Sequence, residues 1–131
     1  MKYSSSCSCG QVKLTTPSDP TRISICHCFA CQKRTGSVFG VQARFLRDQV
    51  VTEGKTTQYV RLTEDDDKIV YHFCPQCGAT VFWYIESLPE LIGTGVGNFT
   101  NPNFPTPTVA VYEARKHSWV EMPNLRIEHI D

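Results

Sequence analysis

The stretch Ile69-Val70-Tyr71-His72-Phe73-Cys74-Pro75-Gln76-Cys77-Gly78-Ala79-Thr80-Val81-Phe82-Trp83-Tyr84 reads as two strands joined by a cysteine turn. Ile69, Tyr71 and Phe73 alternate onto one face of a strand that runs straight into Cys74. Thr80 to Tyr84 is apolar on both faces, which marks a central strand. Between them, Pro75 and Gly78 favour a tight turn that aims backbone N–H groups at two sulfurs. Tetrahedral zinc with Zn–S bonds of about 2.3 Å needs sulfurs roughly 3.8 Å apart, and a C-x-x-C turn supplies that spacing.

The other cysteines fall into two further groups, Cys7-Ser8-Cys9-Gly10 and Cys26-His27-Cys28-Phe29-Ala30-Cys31. In an extended C-x-C both side chains leave the same face of the strand, so they can share one metal. Two pairs close a tetrahedral site, and a site closed between distant pairs staples the two halves of a chain with a modest core. Spacing alone does not say which pair joins which. With seven cysteines, four in a closed site leave three. Three protein ligands with a fourth position open is the pattern of a catalytic zinc, although the 26–31 group could also lend a ligand elsewhere or act as a redox motif.

Elsewhere in the chain, short β-patterned runs alternate with turn signals. Val12–Thr15 and Ile23–Ile25 flank the turn Pro17-Ser18-Asp19-Pro20. Val38–Phe45, Val50–Thr52 and Gln58–Arg61 follow, then Glu64-Asp65-Asp66-Asp67 as a solvated acidic turn. One short helix is predicted over Cys28–Arg34, with Gly36 as its left-handed cap. Residues 98–108 are proline-rich and predicted to be loop. The expected architecture is mainly β, a single domain over residues 1–131.

Thirteen basic residues balance thirteen acidic ones. Two cysteine-bound zincs would bring the net charge to about −3, and no Lys/Arg cluster suits phosphate backbones, so nucleic acid is an unexpected partner. Met1 to Cys7 contains no signal-like apolar run, and no stretch is long enough to cross a bilayer. The expectation is a cytoplasmic protein without membrane contact, where grouped cysteines signal metal rather than disulfides. His27, between two cysteines, points its ring away from the sulfur face and is expected to orient or pack rather than ligate. His72 belongs to the sheet, His117 and His129 to the surface, and Phe82, Trp83 and Tyr84 to the core.

The three cysteine groups, in this order, resemble the family of glutathione-dependent formaldehyde-activating enzymes, which includes the domain of centromere protein V. The matching runs are Cys7–Val12, Cys26–Ser37 and Phe73–Gly78, with Gly93-Thr94 and the late Trp119 also similar. The resemblance implies a zinc-stapled β-tent of two small antiparallel sheets with one short helix. It implies a structural zinc on Cys7, Cys9, Cys74 and Cys77, and a second, catalytic and more weakly held zinc on Cys26, Cys28 and Cys31. The implied activity is carbon–sulfur lyase chemistry, in which glutathione or a similar small thiol joins formaldehyde or another small aldehyde, or the reverse. The match thins after Gly95: the family commonly shows Gly-Thr-Leu-Asp-Asp here, and this chain reads Gly93-Thr94-Gly95-Val96-Gly97-Asn98.

On this reading the open position of the three-cysteine site takes the substrate sulfur as thiolate, which attacks the aldehyde carbon. A nearby donor protonates the oxygen, with His27 and Tyr84 as candidates, and Lys33, Arg34 and Arg44 steer the anionic thiol. The rival readings are a zinc-stabilised binding or carrier module without catalysis, and a methionine sulfoxide reductase. The latter needs a nucleophilic cysteine apart from the closed site, and no cysteine follows Cys77.

Overall fold

The computed structural model describes residues 1–122 and 126–130. Its strands are β1 (Tyr3–Ser6), β2 (Lys13–Thr16), β3 (Arg22–Cys26), β4 (Gly40–Leu46), β5 (Val51–Glu53) and β6 (Thr57–Leu62). They continue as β7 (Lys68–Phe73), β8 (Thr80–Ile85), β9 (Leu91–Gly95), β10 (Val109–Val111) and β11 (Glu128–Ile130), with a single helix α1 (Phe29–Thr35) between β3 and β4. The architecture is mainly β, as expected. A three-stranded sheet, β1-β2-β5, faces an eight-stranded sheet of order β11-β10-β3-β4-β9-β8-β7-β6.

The large sheet is wider than the small antiparallel sheet expected and carries two parallel pairings, β10 with β3 and β10 with β11. Parallel pairing needs a long return connection. Between β3 and β10 it runs through α1 and β4 to β9, and the proline-rich segment is its last stretch, residues 100–108 forming neither helix nor strand before β10 pairs Val109–Val111 beside Ser24–Cys26. The start of that segment differs from expectation, because Asn98 and Phe99 belong to a short 3-10 turn over Val96–Phe99.

The core lies between the sheets. Leu14 from the small sheet and Val12 just before it meet Ala43, Phe45, Ile92 and Phe82 from the large one, all buried. Phe99 and Phe104, from the proline-rich segment, close it with ring centroids 4.8 Å apart. Burying such aromatic and aliphatic side chains contributes about 1.5–3 kcal/mol each, the main driving force for a fold of this size.

The opposite face of the large sheet is built by register. Residues directly opposed across antiparallel strands share a face. Cys26 opposes Gly40, and Gln42 opposes both Ser24 and Gly95. Arg44 opposes Gly93, Gly93 opposes Trp83, and Trp83 opposes Tyr71. Arg61 on β6 opposes Ile69 on β7. One face therefore carries a cysteine, three arginine-or-glutamine positions and two large aromatics, with α1 lying beside them. Alternation along β8 sends Phe82 and Tyr84 to the core side and Trp83 to the other, and a β-bulge between His72 and Phe73 shifts the register only beyond these pairings.

Gly93 is where this arrangement is tightest. A Cβ placed there would lie 2.6 Å from Trp83 Cε2 and 2.7 Å from Cδ1, so the indole lies flat on the glycine backbone. Gly93→Ala is expected to force Trp83 off its rotamer and cost about 1–3 kcal/mol, read as a lowered urea midpoint with unchanged slope.

Candidate metal centres and the cavity between strands and helix

The sulfurs of Cys7, Cys9, Cys74 and Cys77 all lie within 4.8 Å of one another and could hold a metal ion. Two similar turns bring them together. Cys7 N donates to Val12 O at 3.0 Å, and Cys74 N donates to Ala79 O at 3.0 Å. Each turn reverses at a left-handed glycine, Gly10 (φ 82°) and Gly78 (φ 78°), a conformation that other residues adopt only with strain. Backbone N–H groups then reach the sulfurs, Val12 N to Cys7 Sγ at 3.2 Å and Gln76 N to Cys74 Sγ at 3.4 Å. The N–H of Ala79 leads in drawing the Cys77 thiol down to about 6. The spacings of 3.7 Å between Cys7 and Cys9 and 3.6 Å between Cys9 and Cys74 fit the edge of a tetrahedral zinc–thiolate site, about 3.8 Å. All seven cysteines are free of disulfides. Because Cys7 follows β1 and Cys74 follows β7, the cluster joins the small sheet to the large one.

Cys26, Cys28 and Cys31 form a second group, again with sulfurs mutually within 4.8 Å and all buried. Cys26 ends β3, and Cys28 is the N-cap of α1. The Cys28 sulfur accepts from Cys31 N at 3.3 Å, the position a capping serine oxygen usually fills. Gly36, at φ 71°, caps the other end as expected, its N–H donating to Gln32 O at 2.8 Å. Gln32 Nε2 donates to His27 O at 2.9 Å and to Arg115 O at 3.3 Å, tying the helix to the loop that carries the cysteines. The thiols of Cys26 and then Cys31 donate to Cys28 and hold its thiolate far below the ordinary thiol range, while Cys26 is pushed up. Three converging sulfurs sharing charge in this way are a donor set that suits zinc.

His27 is not part of the cluster. It is 2% exposed, its ring lies 6.0 Å from that of Phe39, and its Nδ1 is buried without a partner. His72 sits in β7 as expected, its Nδ1 hydrogen-bonded to Thr56 Oγ1 at 2.8 Å and its ring stacked 4.6 Å from Phe82.

A cavity of about 230 Å³ opens over the three cysteines. Arg34, Arg44, Arg61, Tyr71 and Trp83 form its walls, and the acidic turn brings Asp65 and Asp67 to it. The Arg34 guanidinium lies 4.5 Å from the Trp83 ring centre, a cation–π contact that fixes a positive charge beside the cysteines. Asp67 is held in turn by Ser87, whose backbone N–H donates to Oδ1 at 3.1 Å. Of the cations expected to steer a ligand, Arg34 and Arg44 line this cavity, whereas Lys33 lines a neighbouring groove.

The structure corrects the donor candidates. Tyr84 lies on the core side of β8, under the Arg47 guanidinium at 3.7 Å, and does not reach the cavity. His27 likewise opens toward a different pocket, with Lys116 and His129. Tyr71, Arg61 and the acidic turn were not expected at this site. Their signal was period two: Tyr59 and Arg61, like Ile69 and Tyr71, fall on the face that Cys26 occupies, once strand order is known. Trp83 is buried as expected, at 4% exposure, yet also borders the cavity.

A family model described as glutathione-dependent formaldehyde-activating enzyme matches residues 2–115. No curated protein shows a significant sequence match. A structural-genomics crystal structure of a Rhodobacter sphaeroides protein is similar in fold, with TM-score 0.57 and 23% identity, covering 76% of this chain and 91% of that one. Among the described residues no helix is long and apolar enough to cross a membrane.

Proposed function

The chain belongs to the glutathione-dependent formaldehyde-activating enzyme family, and from that premise we propose that it joins or splits a glutathione-like thiol and an aldehyde at the cavity over Cys26, Cys28 and Cys31. The observation that carries this reading is the placement of three buried sulfurs at a charged cavity, apart from a second, four-sulfur group. On this reading Cys7, Cys9, Cys74 and Cys77 hold a structural zinc, and Cys26, Cys28 and Cys31 hold a catalytic one with one position left for substrate. Zinc bound there supplies the positive charge that keeps a substrate sulfur deprotonated near neutral pH.

The chain's own residues do the rest. Glutathione is anionic overall, with two carboxylates and one ammonium group. Arg34, Arg44 and Arg61 offer the cavity three positive charges, and Asp65 and Asp67 offer the opposite sign at its edge. In the joining direction the sulfur–carbon bond forms, the carbonyl π pair moves to oxygen, and the proton lost by the thiol is returned to that oxygen. Tyr71 replaces Tyr84 as the hydrogen-bond donor to the oxygen. It lines the cavity, and burial first of all raises its hydroxyl above the usual phenol range, so it is protonated at neutral pH.

Thiols add to formaldehyde unaided, so the test is one of rate. Exchange between glutathione, formaldehyde and their adduct can be followed by NMR exchange spectroscopy with sub-stoichiometric protein. The exchange rate should rise in proportion to protein concentration. Tyr71→Phe should lose roughly tenfold or more of that acceleration, and Tyr84→Phe should stay within about twofold of the parent. A carrier would instead bind adduct stoichiometrically and leave the exchange rate at its protein-free value, which would overturn the proposal.

A further inference from the structure

A second concavity, a groove of about 590 Å³, runs between α1 and strands β6 and β7. Its walls are Phe29 and Ala30 from the helix and Tyr59, Tyr71 and Phe73 from the strands. Phe29 is 56% exposed and Tyr59 58% exposed, so aromatic faces from opposite walls meet water where a ligand could cover them. The groove shares Arg34, Arg61 and Tyr71 with the cavity over the cysteines, so the two are lobes of one site.

The lobes differ in chemistry. The cysteine cavity presents charges of both signs, which suits a peptide thiol carrying carboxylates and an ammonium group. Among the described residues no acidic side chain lines the groove; apolar and aromatic surface fills it, with Lys33, Arg34 and Arg61 at its margins. Formaldehyde, with only hydrogens on its carbon, has nothing to place there. Ligand sites of this size are apolar surfaces with a few orienting polar groups, and cations beside aromatic walls favour a π-electron face over an alkyl chain.

We propose that the aldehyde this chain handles carries an aromatic group, seated in the groove between Phe29 and Tyr59 while the reacting carbon sits at the cysteines. The inference rests on the thiol–aldehyde reading above and narrows its substrate to aryl aldehydes. The step is the same: the thiol sulfur bonds to the carbonyl carbon, the π pair moves to oxygen, and the thiol proton ends on that oxygen.

The experiment compares the acceleration over the uncatalysed rate for glutathione with benzaldehyde and with formaldehyde, by NMR exchange, using the zinc-loaded full chain. Benzaldehyde should be accelerated about tenfold or more over formaldehyde, the scale of one buried ring contact. Phe29→Ala and Tyr59→Thr, the second keeping a strand-forming residue on β6, should each lower the benzaldehyde-to-formaldehyde ratio by several-fold. Acceleration of formaldehyde with no preference for benzaldehyde, or a ratio unmoved by both variants, overturns the groove proposal and leaves the lyase reading standing. Acceleration of neither aldehyde overturns both.

Discussion

Cys74→Ser should abolish the native fold. Cys74 is 0% exposed and packs in the core with Val81 and Cys7, while its sulfur lies 3.6 Å from that of Cys9. It therefore serves the core and the four-sulfur group at once. Structural zinc contributes about 10–16 kcal/mol of apparent folding free energy in small metal-dependent domains, against a total stability of about 5–15 kcal/mol for a typical domain. Losing one ligand does not remove all of that, but it weakens the tie between two sheets whose sequence separation at this point is large. The shorter serine side chain also loosens the hydrogen bonds that the sulfur makes with Gln76 N at 3.4 Å and Gln11 Oε1 at 3.5 Å, at about 1 kcal/mol each. Circular dichroism of the variant should show no cooperative thermal transition, or one lowered by well over 10 °C. An unchanged melting temperature would mean that the group is only four thiols in proximity.

Cys28→Ser should do the opposite: keep the fold and remove the chemistry. Serine is a preferred helix N-cap, and its oxygen can accept from Cys31 N as the sulfur now does at 3.3 Å. The β3–α1 connection, with Gln32 bound to the carbonyls of His27 and Arg115, is untouched. The melting temperature should shift by no more than a few degrees. The acceleration of thiol–aldehyde exchange should fall by roughly 10²-fold or more, to the protein-free rate, because the site that keeps the substrate thiolate is lost. Activity within a few-fold of the parent would remove Cys28 from the mechanism.

The asymmetry between these two variants follows from what the sequence makes legible. The C-P-x-C-G turn, the strand that feeds it and the strand that leaves it could be read residue by residue, because turn chemistry and period-two alternation are local signals. The helix with its left-handed Gly36 was legible for the same reason. What the sequence hides is long-range placement. β1 is a run of serines after Tyr3 and looks like a polar tail, yet it pairs with β2 from Tyr3↔Thr16 to Ser6↔Lys13 and carries the chain to Cys7. β9 reads Leu-Ile-Gly-Thr-Gly and lacks a strand pattern, and its Gly93 admits the indole of Trp83. β10 owes its place to a parallel pairing that no local rule announces.

The same distinction divides the site. The cysteine groups are contiguous in sequence and stood out at once. Arg61 and Tyr71 join them only through the order β9-β8-β7-β6, and Tyr84 lies on the other face because its neighbour Trp83 is the residue that pairs with Tyr71. Alternate residues of a strand face opposite sides, so whether Trp83 or Tyr84 meets the cysteines is decided by how β8 pairs and not by its own sequence.

Two metal centres of different kinds in one chain should be visible in its zinc content. Elemental analysis of protein purified under reducing conditions without chelator should give about two zinc ions per chain, falling to about one in Cys28→Ser. A value near one in the parent, unchanged after zinc is added back, would mean that Cys26, Cys28 and Cys31 are buried thiols that hold no metal, and the lyase reading would fall with it.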